Sequence, residues 1–95
     1  MDGPKPEVTH NAAAKRFEAK VDGLVSRCDY RMHGDTMMLV HTEVPPQLEG
    51  RGIASHLVRA AFDYAKEQGW DVLPVCSYVQ SWARRHPEVE SLLAR

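Results

Sequence analysis

The sequence predicts a mixed α/β (α+β) domain in which a three-stranded antiparallel meander is followed by a helix, a parallel strand and a short C-terminal helix. Three observations predict it. Apolar and polar residues alternate with period two through consecutive runs between Phe17 and Val44, separated by Asp22-Gly23 and Gly34-Asp35 turns. The period then becomes helical from Ala54 to Ala65. A short apolar run, WDVLPVC, follows, and a strand joined to its predecessor by a crossover helix normally lies parallel to it.

Residues 1 to 14 hold Pro4, Pro6 and few large apolar groups, and read as a flexible N-terminal arm; residues 15 to 95 read as one domain. Phe17, Ala19 and Val21 alternate with Glu18 and Lys20 in a first strand, which Asp22-Gly23 turns into a hairpin. In LVSRCDYRMH, Leu24, Ser26, Cys28, Tyr30 and Met32 share one face, and Val25, Arg27, Asp29, Arg31 and His33 the other. The third run, TMMLVHTEV, places Met38, Val40, Thr42 and Val44 on one side and Met37, Leu39, His41 and Glu43 on the other. Pro45-Pro46 stops this strand, because neither residue can donate to a ladder.

In the next helix Ala54, Leu57, Val58, Ala61, Phe62 and Ala65 form the apolar stripe, and Gly69 is its stop. Pro74, inside the following strand, requires a sheet edge or a gap between separating strands. YVQSWARR reads as a short helix ended by His86-Pro87, with EVESLLAR a further turn or helix.

A chain of 95 residues with 43% hydrophobic and 26% charged residues is expected to fold as a single soluble domain. Its formal charge of −1 gives no overall attraction to nucleic acid or to an anionic membrane, and neither is expected as a partner. The opening segment MDGPKPEVTHNAAAKR lacks the apolar stretch of a signal peptide, so the expected location is cytoplasmic. The two cysteines, Cys28 and Cys76, are expected as free thiols. With the five histidines they form no metal-ligand spacing, so no metal is expected.

The stretch PPQLEGRGIASHL, residues 45 to 57, sets a glycine-bearing turn at the entrance of the predicted helix. Such a turn leaves backbone N–H groups without partners at the positive end of the helix dipole, which suits an anion such as a phosphate. Gln47-Leu48-Glu49-Gly50-Arg51-Gly52 resembles the Q/R-x-x-G-x-G/A signature of the GNAT superfamily of N-acetyltransferases. HTEVPPQLEGRGIASHLV with PVCSYVQSWARRHPE is similar to a small GNAT-like group within it, the YidJ-type acetyltransferase-like domain, and the resemblance runs from about His10 to Glu88.

The resemblance implies a minimal GNAT fold that binds acetyl-coenzyme A and acetylates an amine. The coenzyme A site it implies comprises Val44, Gln47, Glu49, Gly50, Arg51, Gly52, Ile53 and Ala54, together with Ser77 and Tyr78. Backbone N–H groups from Glu49 to Ala54 would meet the pyrophosphate, glycines at 50 and 52 would permit close approach, and Gln47 and Arg51 would add donors. It also implies that the signature strand separates from the next parallel strand, so the missing N–H of Pro74 does no harm.

Acetyl transfer needs a neutral amine, and a lysine amine has a reference pKa near ~10.4, so a base must assist. His41 and Glu43 are the candidates: two apart on one strand they share a face, just before the loop where GNAT enzymes commonly place a base. Cys76 offers a second route, a thiolate that takes the acetyl group first, with His41 or a helix N-terminus lowering its pKa. Members of the small GNAT-like group carry a cysteine at this position. Cys28 reads as core, Ser77 as a helix cap, and Tyr78 as a candidate acid displaced from the usual register, which falls nearer Trp82.

A full superfamily domain is longer, so the acceptor, whether protein, peptide or small amine, is expected at an open surface or a partner chain. A monomer or weak homodimer is expected. The alternative is a module that binds coenzyme A or an acyl derivative without turnover.

Overall fold

In the computed structural model, which describes residues 5–95, five strands form one sheet in the order β1-β2-β3-β4-β5. The strands are β1 (Val8–Asn11), β2 (Arg16–Val21), β3 (Leu24–His33), β4 (Thr36–Glu43) and β5 (Asp71–Pro74); the helices are α1 (Ile53–Gln68) and α2 (Ser77–Arg84). Strands β1 to β4 are antiparallel, and β5 lies parallel to β4 after the α1 crossover. The predicted fold class therefore holds, with one strand more than the predicted meander.

That extra strand corrects the expected arm. Residues 1 to 4 lie outside the described residues, but Val8–Asn11 pairs with β2, Val8 opposite Ala19 and Asn11 opposite Arg16. Its anchor is His10, whose ring stacks on Phe17 with centroids 4.5 Å apart and whose Nε2 lies 2.7 Å from the Tyr30 hydroxyl. A half-buried histidine thus supplies packing that the sparse apolar content conceals.

The turns follow their dipeptides. Asp22 and Gly23 both adopt positive φ, 53° and 77°, which is the backbone a two-residue hairpin turn demands. At the end of α1 Gly69 takes φ 76° and its N–H bonds the carbonyls of Ala65 and Lys66, closing the helix as expected.

The core lies between one face of the sheet and α1. Phe17, Ala19, Cys28, Met37, Leu39 and Val72 meet Leu57, Val58, Ala61, Phe62 and Ala65 there. The alanines on α1 let the helix approach the sheet closely, while Phe62 fills the space toward α2 by stacking on Trp82 at 5.4 Å. Trp82 is buried and donates its indole N–H to Ser55 Oγ at 2.8 Å, which makes it a core residue rather than a site residue.

One local irregularity governs the site. Asp29 pairs with His41, but the next residue of β3, Tyr30, pairs with Leu39, so Val40 is an extra residue without a partner in β3. This β-bulge breaks the strict alternation read from the sequence. Met37 and Leu39 join the core, Thr42 lies opposite Cys28 on the same face, and His41 and Glu43 are exposed on the other. The predicted grouping of Met37 and Leu39 with His41 and Glu43 is therefore corrected.

A short 3-10 segment, Pro87–Leu92, closes the molecule through Glu88. Its carboxylate binds the Arg59 guanidinium, and His86 Nδ1 lies 3.1 Å away; Arg59 in turn sits 4.9 Å from the Trp82 ring centre. The Arg59 bond lowers the Glu88 carboxyl to about 2 from an ordinary 4.5. A depressed carboxylate stabilises the fold above the unfolded value and loses that contribution as pH falls through the folded one. Melts of the parent and of Glu88→Gln should differ in midpoint at neutral pH and converge between pH 4.5 and about 2; a difference unchanged across that window would contradict the assignment.

Candidate active site

Between the end of β4 and the start of α1 the chain folds into an open cleft of about 340 Å³, lined by Thr42, Val44, Leu48, Glu49, Gly50, Gly52, the first residues of α1 and Tyr78. Pro45 and Pro46 end β4 and start a 3-10 turn, Pro46–Leu48, whose buried Leu48 pins the loop to the core. Gly50 and Gly52 then take φ 87° and 77°. Gly52 is the N-cap of α1, no side chain caps it, and the first intrahelical bond runs from His56 N–H to Gly52 O. The first N–H groups of α1 are thus left without intrahelical partners at the mouth of the cleft.

A Cβ at position 50 or 52 would meet no other atom of the chain within 4 Å, and the left-handed backbone at both positions favours glycine. Of the expected cofactor residues, Val44, Glu49, Gly50, Gly52, Ile53, Ala54 and Tyr78 line the cleft. Gln47 lies in the 3-10 turn and Ser77 at the first turn of α2, and neither lines it. Arg51 is turned away, its guanidinium 3.0 Å from Asp22 Oδ2. Thr42 and Leu48 are lining residues that the sequence reading missed, because the bulge decides where Thr42 points.

Thr42 connects the cleft to both thiols. Its Oγ1 lies 3.7 Å from Cys76 Sγ and 3.8 Å from Cys28 Sγ. Cys76, not Ser77, is the N-cap residue of α2, and its side chain makes no cap bond. Burial opposes ionisation of Cys76, but the N–H of Val79, the Thr42 hydroxyl and the N–H groups of Tyr78 and Thr42 outweigh it, and the thiol lies below its ordinary value. Burial pushes Cys28 up to about 12. Burial also raises the Tyr78 phenol, which keeps its proton in the cleft.

His41 is not among the groups that lower Cys76, contrary to the pairing nominated from the sequence. It lies on the outer face with Nε2 3.3 Å from Glu43 Oε1, and Glu43 also meets Arg27 at 3.1 Å. Both residues nevertheless belong to a distinctive stretch. The β4–β5 ladder ends at Leu39 and Pro74, after which the N–H groups of Val75 and Cys76 both bond Leu39 O. Beyond Leu39, β4 continues to Glu43 without β5 beside it, because β5 ends at Pro74. Pro74 thus sits on an edge strand at the last rung, as its missing N–H requires.

A sequence model of the GCN5-related N-acetyl-transferase family matches residues 16–92. The chain belongs to this family. Protein NATD1 of Xenopus tropicalis is 35% identical over 83 residues, covering 84% of this chain and 76% of its own length. Protein NATD1 of Homo sapiens is 34% identical over 83 residues, covering 84% and 74%. The solution structure of a GCN5-like protein from Staphylococcus aureus matches with a TM-score of 0.75 over 93% of this chain and 87% of that one; at 19% identity this is a likeness of fold. Acetyl transfer is the general chemistry of the GCN5-related family, and acetyl-coenzyme A its typical donor.

Two outcomes test this geometry. At neutral pH iodoacetamide should alkylate Cys76 and spare Cys28 in the folded protein, read by peptide mass mapping; equal labelling would contradict the difference between the thiols. Gly52→Val should cost about 1–3 kcal/mol through its left-handed backbone, visible as a lower melting midpoint, and an unchanged midpoint would refute the conformational requirement.

Proposed function

We propose that the protein is an acetyl-coenzyme-A-dependent N-acetyltransferase in which Cys76 carries the acetyl group to an amine. The supporting observation is the continuity of the cleft: it begins at the uncapped N-terminus of α1 and reaches Thr42, whose hydroxyl is 3.7 Å from the Cys76 sulfur. The residues fit the cofactor. Free N–H groups and a helix dipole at the mouth suit a pyrophosphate, and Val44, Leu48 and Ile53 offer apolar wall to a flexible thioester-bearing arm.

When bound, acetyl-coenzyme A supplies an acetyl group activated as a thioester. Cys76, whose thiol lies below its ordinary value, would form the new bond to the acetyl carbon from its own sulfur as the donor's C–S bond breaks, with coenzyme A leaving as its thiolate. An amine then forms the new C–N bond, the bond to Cys76 sulfur breaks, and Cys76 returns as a thiolate. The proton lost by the amine passes through water at the unpaired edge of β4 to His41 or Glu43 on the outer face, and on to solvent. Tyr78 stays protonated and can donate a hydrogen bond within the cleft.

The position of His41 and Glu43 across the sheet from Cys76 favours a second reading, a coenzyme A-binding module without turnover. The two readings separate cleanly. At hundredfold excess over Kd, acetyl-coenzyme A should add about 2.7 kcal/mol to stability, roughly 4–8 °C in melting midpoint per kcal/mol for a domain this small. Cys76→Ala should retain that shift and lose transfer to amines; retained transfer would refute the Cys76 route, and absence of transfer by the parent protein to any amine would favour the module.

The base assignment has its own signature. His41→Ala should slow transfer by about 10²–10⁴-fold near neutral pH, and the deficit should shrink as pH rises and more of the amine becomes neutral. A rate loss that does not vary with pH would mark His41 as merely structural.

A further inference from the structure

The helices cover one face of the sheet; on the other lies a second concavity, of about 710 Å³, lined among others by Lys15, Arg16, Arg27, Asp29, Arg31 and Val40. Its charges are unequally compensated. Arg16 is paired with Glu18, and Arg27 with Asp29 at 3.2 Å and Glu43 at 3.1 Å. Lys15 and Arg31 have no ion-pair partner among the described residues. The groove therefore presents net positive charge on a chain whose formal charge is −1.

Lys15 is held over the groove by its backbone. It takes φ 56°, a conformation side chains other than glycine rarely adopt, and its carbonyl accepts the Tyr30 N–H at 2.9 Å. Strain of this kind persists where the surrounding structure fixes it, and it motivates a search for function.

The groove also adjoins the site of chemistry. Val40, the bulge residue, lines the groove, while Thr42, two residues on, lines the cofactor cleft on the opposite face. The pairs Asp29–His41 and Arg27–Glu43 set the groove directly beside the candidate bases. Cleft and groove thus approach the same stretch of β4 from opposite faces, at the point where β4 and β5 part.

We propose that this groove docks the acceptor, and that the acceptor is an amine borne on an acidic polypeptide segment. The inference rests on the transferase reading given above. Lys15 and Arg31 would meet carboxylates flanking the amine, which would extend past Val40 toward His41 at the unpaired edge of β4. The Asp29 and Glu43 carboxylates disfavour a nucleic-acid phosphate backbone, and the Tyr30 ring is buried against His10 and Phe17 rather than offered to a base.

The test uses two fluorescent peptides, each with one lysine, flanked in one by glutamates and in the other by arginines, and a single-stranded RNA oligomer. Binding by anisotropy and acetylation are measured for the parent, for Lys15→Glu/Arg31→Glu and for Lys15→Gln/Arg31→Gln, with thermal melts verifying that each variant is folded. The acidic peptide should bind and be acetylated preferentially, and charge reversal should weaken its binding and raise its KM about tenfold or more. The neutral variant should show a smaller loss, with the acetyl-coenzyme A melt shift unchanged in both. Equal use of the two peptides, or indifference to the variants, would overturn the groove proposal while leaving the transferase reading standing. Preference for the RNA would overturn the polypeptide assignment. Acidic-peptide binding without transfer to it would overturn the acceptor role and count against the transferase reading as well.

Discussion

Between Asp29 and Tyr30 of β3, the facing strand β4 slips by one residue, and the arrangement of the whole site depends on that slip. With strict alternation, His41 would share a face with Leu39 and be driven into the core, while Thr42 would face solvent. The extra residue Val40 reverses both: Thr42 faces Cys28 and the cleft, and His41 and Glu43 stay wet on the outer face. A bulge is a local backbone feature, yet here it sets Thr42 with both thiols on one side of the sheet and His41 with Glu43 on the other.

The two cysteines illustrate how environment, rather than residue type, sets reactivity. Both sulfurs sit at nearly the same distance from one hydroxyl, Thr42 Oγ1. Cys28, on β3 under α1, meets burial that its single hydroxyl contact cannot offset. Cys76 stands where a strand ends and a helix starts, so N–H groups of Tyr78 and Val79 lie near enough to lower its pKa without forming a cap bond. Pro74 ends the ladder just before that junction.

Much of this was legible in the amino acids. The apolar stripe of α1, its Gly69 stop and the hairpin at Asp22-Gly23 were readable because each reflects a local rule that tertiary context does not override. The glycines at 50 and 52 were readable for the same reason, since both take the left-handed backbone of the turn into α1. Strand β1 was not readable: its burial comes from His10, a residue whose place in an aromatic cluster no periodicity reveals. The faces of β4 were not readable either, since TMMLV is apolar at successive positions and satisfies either register. The bulge resolves that ambiguity, setting Thr42 rather than His41 beside Cys76.

In the proposed function the cofactor is taken up on the helix face of the sheet, in the cleft between β4 and α1. Backbone amide chemical shifts of the isotopically labelled protein, followed while acetyl-coenzyme A is added, test it residue by residue. The account predicts perturbations at Thr42, across the loop from Glu49 to Ala54, and at Cys76 to Val79, with Lys15, Arg27 and Arg31 of the outer face unmoved. Perturbations centred on the outer groove, or none in the 49–54 loop at saturating ligand, would contradict it.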